Sequence, residues 1–174
     1  MLLFNKIFND IKVGKYERKH ETHHTHSKYI AEYWNTLSNL PFIIIGFLRI
    51  IELTHYRVHD NDIININITS HMINLYFLCI CAGICSGFHH MLVYKWTIIV
   101  DWIPIATSII YILYNINLVY FISLISWFKI LLAIFVLFTD HICTNIQIPW
   151  GHVFWHILSS FAIDSAYQDI VHSN

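Results

Sequence analysis

His152 and His156 are the two residues of this sequence best placed to bind a metal ion together. Residues four apart lie on the same face of a helix, so both imidazoles can point at one ion. A third histidine from another helix would complete a site that leaves one position open for water, as in catalytic zinc sites. Two adjacent residues, His89 and His90, are the candidates for that third ligand.

A serine and an aspartate accompany these histidines. Ser86 lies four residues before His90 and shares its helix face, whereas His89 points about 100° away, which favours His90 as the ligand. Asp101 can take a proton from a metal-bound water, and Ser86 can donate to an oxyanion that forms on a carbonyl substrate. The alternative interpretation is that each of these side chains is an ordinary hydrogen-bonded residue of a helix bundle.

The composition indicates which elements must position these side chains. Hydrophobic residues make up 56% of the 174 residues and charged residues only 12%, with a mean hydropathy of +0.53. Soluble domains carry about 25% charged residues, so this composition argues against a soluble enzyme and against a disordered chain. The net charge of −1 argues against a nucleic acid partner. The spacing of the cysteines matches no common zinc motif, and we interpret them as packing residues.

The apolar runs predict an all-α membrane protein with a bundle of about five transmembrane helices. A polar, basic juxtamembrane segment over residues 1–28 precedes a helical catalytic domain over residues 29–171. A polar loop over residues 52–71 separates the first two spans, and the excess of lysine and arginine in the N-terminal segment predicts that its side of the membrane is cytosolic. The predicted spans cover residues 29–51, 72–94, 96–114, 118–138 and 149–171.

Alternating spans bring the candidate residues to one side of the membrane. Ionisable residues inside membrane spans are costly, so their presence usually indicates function. In a five-span topology, four different helices contribute such residues to the same leaflet. They are Glu32, His90, Asp101, His152 and His156.

Three blocks of the sequence resemble the alkaline ceramidases, a family of integral membrane zinc amidases. The blocks are YIAEYWNTLSNLPFII at residues 29–44, SGFHHMLVYKWTIIVDWIP at residues 86–104 and PWGHVFWHILSSFA at residues 149–162. They occur in the family's order, and the first block distinguishes the ceramidases from the related adiponectin-type receptors.

Carried over by position, the resemblance implies that His90, His152 and His156 bind zinc and that Ser86 and Asp101 are catalytic. In the family, the zinc histidine and the aspartate are eleven residues apart, and this spacing from Asp101 also selects His90 over His89. The implied reaction is hydrolysis of the ceramide amide bond to a sphingoid base and a free fatty acid. The implied partners are a ceramide-type lipid and the bilayer; in a eukaryotic cell, the expected location is the endoplasmic reticulum or Golgi membrane.

Two features depart from the family pattern. The family has seven spans, so a chain with about five is expected to adopt a shortened version of that fold. The family's calcium site is only partly retained, with Glu21, Glu32 and Asn35 as candidates for calcium binding or for orienting the zinc ligands. Ser38 and Asn39, on the same polar half of the first span, either hydrogen-bond one another or orient ligands.

Other functions remain open from the sequence alone. A related lipid hydrolase that cleaves an ester would use the same residues. A receptor-like membrane protein would keep the zinc without catalysis, and a small ion channel would use the buried histidines and aspartate for conduction. The channel does not explain a three-histidine arrangement, and a structural zinc site would normally close all four positions. These residues therefore favour an enzyme, and the resemblance makes a ceramide amidase the leading hypothesis.

Overall fold

The protein is a bundle of α-helices throughout the part that the structure describes. The computed structural model describes residues 26–59, 63–115, 119, 122–143 and 150–172. Its helices are α1 Tyr33–Leu37, α2 Leu40–His59, α3 Ile63–Leu92, α4 Lys95–Tyr114, α5 Leu124–Cys143 and α6 Trp150–His172. The prediction of an all-α membrane bundle with about five long helices is confirmed. Most of the predicted juxtamembrane segment lies outside the described residues.

Several helices have the length and surface of membrane-spanning segments. Among the described residues, Tyr33–His55, Thr69–Leu92 and Lys95–Tyr114 are long and apolar enough to cross a bilayer, and Leu124–Thr139 is a shorter apolar helix. The outer faces of α4 and α5 expose large aliphatic and aromatic side chains. Exposed apolar surface of this extent is unfavourable in water and favourable against lipid.

The loop predicted over residues 52–71 is wrong, because both flanking helices extend into it. α2 continues to His59, and α3 begins at Ile63. The segment is polar and rich in asparagine, which favours a loop in the sequence. It contains neither proline nor glycine, so its residues can extend the two helices beyond the apolar part of the membrane.

The fourth span begins later than predicted, at Leu124 rather than at residue 118. Ser123 caps this helix, since its hydroxyl oxygen accepts a hydrogen bond from the backbone N–H of Ser126 at 3.2 Å. Asp169 of α6 holds the cap in place by accepting hydrogen bonds from the backbone N–H and the hydroxyl of Ser123, at 3.0 and 2.7 Å. The start of α5 is therefore fixed by a contact with α6.

The first predicted span is interrupted near its beginning. Residues 29–32 precede the helix, α1 ends at Leu37, and α2 begins at Leu40. At Gly83, which faces this region from α3, an added Cβ would lie 2.8 Å from the Cβ of Phe42. No side chain larger than hydrogen fits there without a shift of the helices. The absence of a side chain at this position lets the interrupted segment approach α3 closely.

α3 ends directly after its two adjacent histidines. Val93 adopts a left-handed conformation with φ 52°, and its backbone N–H donates to the carbonyl of His89 at 2.7 Å, which closes the last turn. The backbone N–H of Glu32 donates to the carbonyl of His90 at 3.0 Å. The segment before α1 is thus hydrogen-bonded to the end of α3, which brings the side chain of Glu32 to that of His90.

Candidate metal centre

Three buried histidines from two helices meet inside the bundle. His90 lies near the end of α3, while His152 and His156 lie in the first two turns of α6. One ring nitrogen from each lies within 4.8 Å of the others. The exposed fractions of the three residues are only 2%, 8% and 1%. A cluster of three imidazoles this close together can hold a metal ion.

Hydrogen bonds on the outer side of the cluster identify which ring nitrogens face its centre. Nδ1 of His90 is 2.6 Å from Oε2 of Glu32, and Nδ1 of His156 is 2.8 Å from the hydroxyl of Ser38. Nε2 of His90 lies 3.2 Å from Nε2 of His152. Two nitrogens bound tetrahedrally at about 2.05 Å from zinc would be about 3.3 Å apart, so the observed spacing fits such an ion.

Glu32 is the buried carboxylate behind this cluster. Besides its contact with His90, it accepts a hydrogen bond from the side-chain amide of Asn35 at 3.4 Å. A carboxylate on the outer nitrogen of a ligand histidine fixes the tautomer and ring orientation, and it makes the inner nitrogen a stronger donor to a metal. The structure therefore places Glu32 and Asn35 where they can orient His90. Glu21, the third candidate for a calcium or orienting role, lies outside the described residues.

Buried amides of α1 and the α1–α2 break surround the outer side of the cluster. The backbone carbonyl of Asn35 accepts hydrogen bonds from the hydroxyl of Ser38 and from the side-chain amide of Asn39, both at 2.8 Å. Among the described residues, the side-chain oxygens of Asn35 and Asn39 have no hydrogen-bond partner although both are buried. Each is an acceptor that a water or a bound molecule can use.

Ser86 and Asp101 form a pair next to the three histidines. Ser86 is buried one turn before His90 on α3, and its side chain is close enough to the carboxylate of Asp101 on α4 to interact with it. The carboxylate oxygen Oδ1 of Asp101 is buried and has no hydrogen-bond partner in the described part of the chain. The pair thus offers one hydroxyl donor and one available carboxylate oxygen.

His89 points away from the cluster. Its Nδ1 lies 2.8 Å from the hydroxyl of Thr97, which donates to the backbone carbonyl of Tyr94 at the start of α4. The structure therefore brings His90, and not His89, to the histidines of α6. The contact with Thr97 could not be predicted from the sequence, because a threonine eight residues from a histidine gives no signal that the two side chains meet.

Replacing Glu32 by glutamine should weaken metal binding without removing it. The amide cannot supply the negative charge that strengthens His90 as a ligand, and the loss of such a partner typically lowers metal affinity 10- to 100-fold. The measurement is zinc affinity by competition with a chromogenic chelator. Glu52→Gln is a control, since Glu52 contacts Arg49 and no histidine of the cluster. Equal zinc affinities for wild type and Glu32→Gln would contradict the orienting role.

Comparison with known proteins adds an independent observation. A family model described as Ceramidase matches residues 20–149. The matched part holds Ser86, His90 and Asp101 and ends before the two histidines of α6, which the fold itself brings to His90. No curated protein and no solved structure gives a significant match. Because the family match covers most of the sequence, this chain belongs to the ceramidase family.

Proposed function

We propose that this protein is a zinc-dependent intramembrane amidase that hydrolyses ceramide to a sphingoid base and a free fatty acid. Membership in the ceramidase family supports ceramide hydrolysis in general. The observation that carries the finer proposal is the buried cluster of three histidines. A set of three imidazoles with a carboxylate behind one of them is the arrangement that catalytic zinc uses.

Zinc held by His90, His152 and His156 would supply Lewis acidity, which activates water and polarises a carbonyl. Asp101 accepts the proton of the attacking water through the oxygen that has no partner in the described part of the chain. Ser86 donates its hydroxyl to the carbonyl oxygen of the amide and stabilises the charge that develops there.

Breakage of the C–N bond needs a proton on the leaving nitrogen. Asp101 gives that nitrogen the proton it took from water, so the sphingoid base leaves as a neutral amine. The water oxygen stays on the acyl carbon, which becomes the carboxyl group of the fatty acid. The same side chain therefore acts first as base and then as acid, and the reaction needs no other proton carrier.

The depth of the cluster in the membrane suits a lipid amide. Trp34 and Trp150 pack together with ring centroids 5.8 Å apart, and both are partly exposed, as expected for tryptophans at a membrane interface. His156 lies six residues beyond Trp150, which corresponds to about 9 Å along α6. Ceramide carries its amide at this depth, so it can reach the cluster from within the bilayer while its tails remain in lipid.

The test is hydrolysis of long-chain ceramide by the zinc-loaded protein in vesicles or mixed micelles. We expect release of sphingoid base and fatty acid in equal amounts, measured by mass spectrometry, and little activity on short water-soluble amides. The control is His90→Ala under the same conditions. Cleavage of an ester analogue but not of ceramide would favour the related ester hydrolase. Absence of cleavage of either lipid by fully zinc-loaded protein would contradict the proposed enzyme.

If the protein comes from a eukaryotic cell, the proposed setting is the endoplasmic reticulum or Golgi membrane, where a ceramide-type substrate would be available. Calcium binding stays a prediction, with Glu32 and Asn35 as its candidates among the described residues. In this structure Glu32 contacts His90. This contact supports a role of Glu32 in the zinc site before any role in calcium binding.

A further inference from the structure

A second polar cluster lies inside the bundle, away from the histidines, and we call it the Asp164 cluster. Arg49 of α2 forms a two-point salt bridge with Asp164 of α6, with Nε 2.9 Å from Oδ1 and Nη2 3.0 Å from Oδ2. The hydroxyl of Tyr76 on α3 donates to Oδ1 of Asp164 at 2.9 Å. Gln168, one turn further along α6, donates to the hydroxyl of Tyr76 at 3.2 Å. Three helices therefore meet at one carboxylate.

The Asp164 cluster is separate from the catalytic residues. Asp164 lies eight residues after His156, or about 12 Å along α6. Tyr76 lies 14 residues before His90, or about 21 Å along α3. No step of the proposed reaction uses the cluster, although a charge placed within membrane-spanning helices is costly enough to suggest a function.

The charges within the cluster argue against a role in binding an anion. Arg49 is already paired with two carboxylates, because its Nη1 also lies 2.6 Å from Oε2 of Glu52. A two-point contact between a guanidinium and a carboxylate is strong and fixes the mutual orientation of its partners. The function of the cluster is therefore to hold helices, and the remaining question is what depends on their position.

In this half of the bundle, α6 contacts α2 and α3 through the Asp164 cluster and through an apolar core that Tyr167 and Ile170 share with Leu53 and Tyr76. α6 packs mainly against α5 and has much less contact with α2 and α3. At the metal centre, the contacts of α6 with the rest of the bundle include the hydrogen bond of His156 with Ser38 and the contact of His152 with His90. In the other half of the bundle, Asp164 and Gln168 make polar contacts with α2 and α3.

We propose that the Asp164 cluster positions the metal ligands. By fixing the rotation and depth of α6 against α2 and α3, it brings His152 and His156 to His90 before a metal arrives. A preformed site binds more tightly, because the cost of ordering it has already been met in folding. Arg49, Tyr76 and Asp164 are thus positioning residues that act through α6. This inference rests on the proposed metal site but not on the identity of the substrate.

The test measures the zinc affinity of the full chain in detergent, by chelator competition and without any lipid substrate. Asp164→Asn and Arg49→Gln should each lower the affinity by roughly 2- to 30-fold, the range typical of coupling between distant sites. Glu52→Gln is the matched control. It also removes a partner of Arg49, but Glu52 lies on the same helix as Arg49, so the contact between Arg49 and Asp164 of α6 remains. Its zinc affinity should equal that of the wild type.

A purely structural role would lower thermal stability without changing the zinc affinity of the folded protein. Circular dichroism and thermal unfolding of the metal-free variants therefore accompany the zinc measurement. Unchanged affinity in both Asp164→Asn and Arg49→Gln, with the helical content retained, would overturn the inference. If the wild type itself binds no zinc, the proposed function fails. If the wild type binds zinc and both variants bind it equally well, only the present inference fails, so the two failures are distinguishable.

If the single variants fold poorly, reversal of the two charges tests whether the Asp164 cluster positions the metal ligands. These variants are made in the Glu52→Gln background, because the carboxylate of Glu52 would repel the carboxylate that Arg49→Asp introduces. In this background, the double variant Arg49→Asp with Asp164→Arg should recover zinc affinity relative to either single reversal, because the two-point contact between α2 and α6 is restored. Recovery of thermal stability without recovery of zinc affinity would show that the cluster does not position the ligands.

Discussion

A variant in which His90, His152 and His156 are all alanine is expected to contain no zinc, whereas the wild type should contain about one equivalent per chain. The three imidazoles are the ligand set that the fold assembles, and zinc in a catalytic site holds only three protein ligands. Metal analysis of the purified protein measures this directly. Ceramide hydrolysis should disappear with the metal, since no other group here can activate water to the same extent.

His89→Ala is a close control for that variant. His89 is adjacent to His90 and equally buried in the bundle, but its ring is hydrogen-bonded to Thr97 at the start of α4. Its removal should leave the zinc content unchanged. Zinc retained by the triple variant would overturn the ligand assignment. Zinc lost from His89→Ala would indicate that His89 is a ligand.

Features set by local sequence could be predicted well. A helix that spans a bilayer needs about 20 apolar residues, so the run at residues 96–114 predicted α4 within one residue of its observed start. The spacing of four between His152 and His156 places both rings on one face of α6. This too could be predicted, because helical periodicity depends only on the segment itself.

Features set by contacts between distant segments could not be predicted. The partners of Glu32 and Ser38 are histidines 58 and 118 residues away, and these pairings depend on the interruption between α1 and α2 and on its close approach to α3. The contact of Arg49 with Asp164, 115 residues apart, likewise depends on how α6 packs. Arg49 in the sequence indicates only a positive charge near the end of an apolar run.

The placement of the histidines in one leaflet could be predicted in part, because it depends on the alternating direction of successive spans. The rule that successive spans cross the membrane in opposite directions predicted that His90 and the histidines of α6 lie in the same leaflet. It could not predict that their nitrogens lie within 4.8 Å of one another. The loop prediction for residues 52–71 is wrong for a related reason, because polarity indicates exposure to water but not the absence of a helix.

Replacing Asp101 by asparagine should preserve the fold and the zinc but remove most of the turnover. The amide has nearly the same shape as the carboxylate and therefore fills the same space beside Ser86. It cannot take the proton of the attacking water or return it to the leaving nitrogen, and such proton transfers typically contribute 10²- to 10⁴-fold to the rate. Steady-state hydrolysis of ceramide in mixed micelles, with zinc content measured on the same sample, tests this expectation.

Ser86→Ala provides a comparison within the same pair of residues. Loss of a single donor to a developing oxyanion costs about 10²- to 10³-fold in kcat. Ser108→Ala on α4 is its control, because the hydroxyl of Ser108 donates to the backbone carbonyl of Pro104 and is not required by the mechanism. For Asp101→Asn, the corresponding control is Asp169→Asn, which removes a carboxylate that contacts Ser123 at the start of α5.

The division of the effect between kcat and KM separates proton transfer from substrate binding. A group that acts only in the transition state lowers kcat and kcat/KM equally when it is removed, whereas a group that binds the substrate throughout raises KM. We expect Asp101→Asn to lower kcat with little change in KM, because the lipid tails supply most of the binding and lie away from this carboxylate. A raised KM with unchanged kcat would make Asp101 a substrate-binding residue. Near-wild-type kinetics with full zinc content would remove it from the mechanism.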